Sequence, residues 1–449
     1  MRNLNLIATA SAVLVLATAQ PLAHGQEDDE PPRRETKRAE TLSKAVYEDL
    51  TEAQEAIDAE PQDLATATRI VNNLLSDDIT DFERGNVLNF KGFLEYTRGN
   101  NVAAIRAYEE MIQIESLEPG TVQGTIYTIA QLYAQEENYP KTIEYLNRWF
   151  ETAKNPAPDA YILLAQSYAQ LEQYRQMIQP IDSAIAEAKE RGQSPKEEWF
   201  NLKYYACYQM EDFNCVRDTL KILIAGWPKK TYWLQLAGIF NELEEERSML
   251  AIYEAAYTDG LLTTESELVT MAQLYLQGEV PFAAARVLES GMESGTISQN
   301  AKNYRLLSQA WTLARDDEKA IPALREAAKL SDDGDVGAGL AIAFLNTERY
   351  GECIDAGEDA VQKGGLQRPD DVQVTIGMCQ YNLDRLTAAR RTFNRVASTG
   401  SDRNKRLARQ WMSVIDSDLT ILEDLRQLRR SVEEAKKRNS VPASEEAAP

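Results

Sequence analysis

The residues best equipped for nucleophilic or metal chemistry are few in this chain of 449 residues: one histidine, His24, and four cysteines, Cys207, Cys215, Cys353 and Cys379. An imidazole is what a serine or cysteine nucleophile uses as its base, and what an HExxH zinc site uses as ligand. His24 sits at the end of an apolar leader that reads as removable, so the processed chain keeps no imidazole. No cysteine spacing is CxxC, which counts against a metal cluster. No P-loop is present, and no GxGxxG follows a strand. Carboxylates number 71, and at that density adjacent pairs arise by chance. A working acid/base pair also needs one cleft and acidities pushed apart, which sequence does not display. These residues predict a non-enzyme with no cofactor and no metal site.

The leader consists of Arg2, an apolar run from Leu6 to Ala19, and the small-x-small triplet Ala23-His24-Gly25. Cleavage is expected between Gly25 and Gln26, with Ala17-Thr18-Ala19 as second choice. The run is shorter than the ~20 residues of a membrane span, so an uncleaved anchor is the less favoured reading. No later stretch is long and apolar enough to cross a bilayer. The formal charge of −23 becomes −24 once Arg2 leaves with the leader, and such acidity disfavours nucleic acid and anionic lipid. A local exception is the last helical stretch, with Arg426, Arg429, Arg430, Lys436, Lys437 and Arg438, which also reads as an ordinary solvated face.

What positions everything else is a helical hairpin repeated about nine times, at spacings of roughly 33 to 38 residues. Its clearest copy has Trp233, Leu236, Ala237 and Phe240, then Tyr253 and Ala256. Residues 26–40, with Pro31-Pro32, read as a disordered tether, and 41–84 as an N-terminal capping hairpin in which Pro61 separates two apolar stripes. Regular units occupy 85–402 and begin near Gly85, Gln123, Asp159, Glu197, Lys230, Glu265, Ala301, Gly334 and Asp370. A small residue recurs in each first helix at Gly92, Ala130, Ala165, Ala237, Ala272, Ser308, Ala341 and Gly377, where a partner helix would cross closely. Residues 403–438 read as a C-terminal capping helix with Leu407, Trp411, Val414 and Ile415 as its stripe, and 439–449 as a disordered tail. The predicted fold is all-α, an α-solenoid of antiparallel helix hairpins.

Residues 85 to 400 resemble the tetratricopeptide repeat family in unit length and in the order of aromatic, Leu and small positions. Lys91 and Lys203 depart from the pattern, standing where Leu is expected. The resemblance implies a right-handed superhelix that binds protein or peptide on an inner face lined by first helices. Carried onto this chain, that lining is Asn89, Phe93, Tyr96, Tyr127, Gln131, Asn201, Tyr205, Tyr208, Asn241, Gln273, Arg305, Gln309 and Tyr381. With Arg305 as its one strong cation, it does not suit a clamp for a terminal carboxylate. Amides and rings suit an extended peptide or a helix instead. Packing between adjacent units is the alternative role for each tyrosine. Repeat locality pairs Cys207 with Cys215 and Cys353 with Cys379 as disulfides in an exported protein, the alternative being four buried free thiols.

The segment from Arg33 to Ala59, taken with the array and the leader, also resembles the periplasmic repeat proteins associated with TonB energy-transduction systems of Gram-negative bacteria. That layout implies a soluble periplasmic scaffold in contact with TonB or its inner-membrane motor. A holdase for unfolded envelope proteins and a scaffold for polysaccharide export or cell-wall assembly are the other readings.

Overall fold

A computed structural model describes residues 41–439; the leader, the Gly25–Gln26 cleavage point, the tether and the tail beyond Asn439 lie outside the described residues. The described chain is helical, with no strand, and divides into two compact units at Glu136 and Glu137. The first unit holds α1 Lys44–Asp58, α2 Leu64–Ser76, α3 Asp81–Thr97, α4 Asn101–Met111 and α5 Pro119–Gln135. The second begins with α6 Tyr139–Phe150 and continues as seven hairpins: α7 Pro158–Gln170 with α8 Tyr174–Glu190, α9 Glu197–Gln209 with α10 Phe213–Gly226, and α11 Lys230–Glu242 with α12 Glu246–Thr258. Then come α13 Glu265–Gln277 with α14 Pro281–Glu293, α15 Ala301–Leu313 with α16 Asp317–Leu330, α17 Asp335–Asn346 with α18 Tyr350–Lys363, and α19 Pro369–Asn382 with α20 Leu386–Thr399. The described residues end on α21, Asp402–Asn439. In each unit, sequential helices pack on one another, which is the all-α array of antiparallel hairpins that the periodicity predicts.

One backbone device makes the hairpins. From Gly99 onward, the turn inside each of eight hairpins carries one residue in the left-handed region, at Gly99, Glu172, Glu211, Glu244, Glu279, Arg315, Glu348 and Asp384, and Glu137 before α6 takes the same conformation. Only one of these is glycine, so the others bear the ~1–2 kcal/mol steric cost of that conformation for an L-residue. The turn uses it to close the preceding helix: the next N–H reaches back to a carbonyl one turn inside it, as in Asn100 N to Glu95 O (2.8 Å) and Glu245 N to Phe240 O (2.8 Å). That next residue then caps the following helix. The side chains of Asn100, Asn138, Asp212 and Asp316 accept from the backbone N–H of Ala103, Lys141, Cys215 and Lys319.

At two of the small positions an aromatic ring of the second helix lies over the residue. A Cβ on Gly92 would stand 2.4 Å from the Tyr108 ring, and one on Gly377 would stand 2.8 Å from Phe393 Cζ. The α9/α10 hairpin is the exception, since Tyr204 stands to Glu211 as Ala237 stands to Glu244. There the two helices are joined covalently: Cys207 and Cys215 Sγ lie 1.93 Å apart. Lys203, one of the departures from the repeat pattern, points to Asp182 Oδ1 at 2.6 Å.

In the first unit, Val46, Ala53, Ile57, Ile70, Val71, Val87 and Leu94 form a core shared by α1, α2 and α3. Its entry is held by Glu83, a buried carboxylate near the start of α3, which begins at Asp81 rather than at Gly85. Glu83 Oε1 accepts from Ser43 N (2.8 Å), while Oε2 accepts from Thr80 N (2.9 Å) and Thr80 Oγ1 (2.9 Å). The hydrogen bonds from Ser43, followed by those from Thr80, hold its pKa down at about 2. A depressed carboxyl contributes stability that is present above its unfolded value and is lost as pH falls through the folded one, here between about pH 5 and pH 2. Glu83→Gln keeps one acceptor oxygen and is expected to destabilise this unit by about 2 kcal/mol at pH 7. Urea melts of both forms at pH 7 and pH 3 check this: the gap between midpoints narrows at the lower pH, and an unchanged gap would refute the assignment.

Candidate protein-binding face

Several carboxylates are occupied in building the array. At the start of first helices they bond to the next hairpin. Glu197 accepts from Lys229 Nζ (2.6 Å) and Tyr232 Oη, and Glu265 from Ser298 Oγ (2.6 Å) and Asn303 Nδ2 (2.7 Å). Asp335 accepts from Gln367 N (2.9 Å), and Asp370 from Ser401 N (2.9 Å) and Asn404 Nδ2 (2.8 Å). The backbone and hydroxyl of Ser401 bring the Asp370 acidity to about 2. For Glu267, burial acts upward, but the Lys230 ammonium and the N–H groups of Thr263 and Thr264 outweigh it and bring the carboxyl to about 2. These are structural anions kept ionised, not an acid and a base separated in strength. Among the described residues no group of three or more His, Cys, Asp or Glu is placed to hold a metal, and no helix is long and apolar enough to cross a membrane.

The residues expected to line an inner face fall into repeating columns when each first helix is counted back from its left-handed turn. In the second unit one column holds Gln166, Tyr205, Gly238, Gln273, Gln309, Ile342 and Met378. A second holds Ala169, Tyr208, Asn241, Leu276, Thr312, Leu345 and Tyr381, and a third Ile162, Asn201, Leu234, Val269, Arg305, Ala338 and Val374. Tyr205, Tyr208, Asn241, Gln273, Arg305 and Gln309 are exposed, and Asn201 is half-buried. In the first unit, Asn89 and Gln131 are exposed, while Tyr96 and Tyr127 are half-buried and Phe93 packs on the α1–α3 core with its ring edge-on to Phe90.

Not every one of these side chains is available. Tyr381 Oη donates to Asp418 Oδ2 (2.9 Å) and its ring stands edge-on to Trp411 at 5.0 Å, so it serves to dock α21. Asn201 Oδ1 accepts from Tyr232 Oη (3.1 Å), and Arg305 is paired with Asp333 (3.1 Å), which neutralises the one cation of the columns. Tyr205 and Tyr208 keep 42% and 50% of their surface exposed while standing on other tyrosines. Tyr205 is edge-on to Tyr174 at 5.7 Å, and Tyr208 stacks on Tyr204 at 6.0 Å. The hydrogen bond with Tyr205 pushes the pKa of the Tyr174 phenol above its ordinary value.

Sequence reasoning passed over two sets that the turns bring into register. Ile342, 47% exposed, and Gln166 belong to the same column as Gln273. A further exposed column runs through Gln170, Gln209, Glu242, Gln277, Leu313, Asn346 and Asn382, most of them amides. The signal was present in the sequence but needed the turn residue as origin, and a glutamate in a left-handed turn carries no obvious mark. On a chain of net charge −23, these columns form a nearly uncharged strip.

Two hollows lie elsewhere. One of about 700 Å³ is lined by Arg175, Ile178, Gln179, Asp182, Ser183, Ala186, Met210 and Asp212, the other, of about 380 Å³, by Glu289, Tyr304, Leu307, Glu318, Lys319, Pro322, Ala323 and Glu326. Both draw on second helices, and both are open rather than enclosed.

No family model matches the sequence, and no curated protein matches it. Solved structures similar in fold include a tetratricopeptide repeat protein from Parabacteroides merdae ATCC 43184, 14% identical over 60% of this chain and 99% of that one, with a TM-score of 0.33. YrrB, described as a TPR protein with an unusual peptide-binding site, is 14% identical over 42% of this chain and 97% of its own, with a TM-score of 0.35. The TPR2AB domain of yeast Sti1, solved as a complex with pHSP90, is 13% identical over 66% and 99%, with a TM-score of 0.24. The chain's own geometry shows the architecture: one two-helix unit recurs with its turn residue every 33 to 39 residues, and small residues lie under second-helix rings at Gly92 and Gly377, so the described chain is an array of repeated helical hairpins.

Proposed function

We propose that this protein is an exported, non-catalytic scaffold that holds an extended segment of a protein partner along the first helices of its second unit. The observation that carries the reading is the uncharged strip of amides and tyrosines on a strongly acidic protein. Gln and Asn side chains donate to and accept from a peptide backbone, and phenol rings give contact area at low entropic cost. A neutral strip on an acidic body also repels polyanions, which favours a partner segment that is itself neutral or weakly basic.

Export is supported by the leader and by two cystine bridges, since such bridges persist in oxidising compartments. The bacterial periplasm is the compartment proposed, with a TonB system as the assembly served, on the layout of the N-terminal segment and array. The open hollows on the second helices do not favour a holdase, which needs a broad apolar groove.

The test is photocrosslinking in the native host. A benzophenone amino acid placed at Gln273 is expected to capture one discrete partner, whereas the same group at Ser183, on a second helix, is not. Tyr205→Ala with Tyr208→Ala is expected to weaken capture about tenfold, the loss of about 1.4 kcal/mol. Equal capture at both positions, or capture untouched by loss of the tyrosines, would sink the placement of the site.

A further inference from the structure

The last helix continues beyond the body that it caps. Its first half is docked: Ala408 and Ile415 are fully buried, Trp411 stacks on Phe393, and Asp418 is held by Tyr381. From 421 to 438 every side chain is exposed. Yet Ile421, Leu425, Leu428 and Val432 stand 53%, 55%, 59% and 45% exposed in the alternating three-and-four spacing of a heptad seam, with Ala435 next in register. Leu425 and Val432 take the a positions, Ile421 and Leu428 the d positions. A solvated helix has no use for such a stripe, because each aliphatic left in water forgoes the gain of burial.

We infer that residues 421–435 pair with the same residues of a second copy of this chain, as a parallel, in-register, two-stranded coiled coil. The flanking charges select that occupant. In a parallel pair each g side chain faces the e side chain of the following heptad on the other helix. Asp424 takes a g position and Arg429 the e position it would face, so symmetry creates two Asp424–Arg429 pairs, while Ser431 faces Lys436 without a like charge. An antiparallel pair sets Arg429 opposite either Leu422 or another Arg429. An anionic membrane matches less well, because Glu423, Asp424, Glu433 and Glu434 are interspersed with the basic residues. Two heptads give a weak dimer, which a scaffold uses to present two partner segments together. The inference does not depend on which face of the body binds a partner.

Sedimentation equilibrium of the full chain over about 1–100 μM decides it, a range that brackets a micromolar Kd. The wild type is expected to dimerise, and Leu425→Lys with Leu428→Lys to stay monomeric at unchanged helicity. Asp424→Arg should weaken pairing about tenfold, and Arg429→Asp added to it should restore pairing. Leu425→Cys should form a symmetric interchain disulfide on oxidation, since no cysteine is free among the described residues. A monomer throughout, a trimer or tetramer, a charge swap that does not restore pairing, or a monomer that binds phosphatidylglycerol vesicles through this helix would each overturn it.

Discussion

Phe393→Ala is expected to cost about 3–5 kcal/mol and to release the C-terminal helix from the body, since a large buried ring leaves both its transfer energy and a cavity behind. Phe393 is fully buried and is the pivot of this end of the array. Its ring enters the space left by Gly377 and lies parallel to Trp411, with centroids 5.6 Å apart and planes 3° from each other. Trp411 in turn receives the edge of Tyr381, whose hydroxyl reaches Asp418. Removing the ring therefore removes the surface on which α21 sits. In a stacked array each hairpin touches only its neighbours, so the damage stays local. Limited proteolysis checks this: new cleavage between Leu407 and Leu419, with upstream hairpins protected as before, is the expected pattern. Intact protection of α21 at an unshifted midpoint would show that the polar contacts of Asp370 and Asp418 dock the helix on their own.

The second large effect concerns the cystine between Cys353 on α18 and Cys379 on α19, both fully buried. It joins consecutive hairpins and spans 26 residues, which in the chain-entropy account is a contribution of about 3.5 kcal/mol. The Cys207–Cys215 bridge spans 8 residues inside one hairpin and by the same account contributes less, about 2.5 kcal/mol. Cys353→Ala with Cys379→Ala is thus expected to lower stability more than Cys207→Ala with Cys215→Ala, and dithiothreitol to lower the wild type toward the variants. The measurement is a pair of denaturant titrations with and without reductant, beside mass spectrometry of unreduced peptides. Four alkylatable thiols in protein purified from an oxidising compartment would refute both bridges.

The fold class was legible because a repeat states the same requirement many times. Most hairpins show a small residue, an aromatic ring and a polar break, and a period that survives nine imperfect copies is a strong signal even where Lys91 and Lys203 interrupt it. Less legible was the turn itself. Six glutamates, an arginine and an aspartate occupy the left-handed position, none with the glycine that usually marks it. Those turns set the origin from which the exposed columns are counted, and so Ile342 and the amide column ending at Asn382 were passed over.

By itself the sequence determined that this chain forms stacked helical hairpins with an acidic surface, because those properties reside in periodicity and composition. Only the tertiary structure decided which members of the predicted face are occupied. Tyr381 is covered by Trp411 and Asp418, residues well separated from it in sequence, and Arg305 is neutralised by Asp333 of the next hairpin. It likewise decided where the last helix leaves its body, turning an apparent solvated stretch into an exposed seam from Ile421 to Val432. The reason is the same in each case: a side chain's periodicity says which face it shares, but only the packed neighbours say whether that face is already covered.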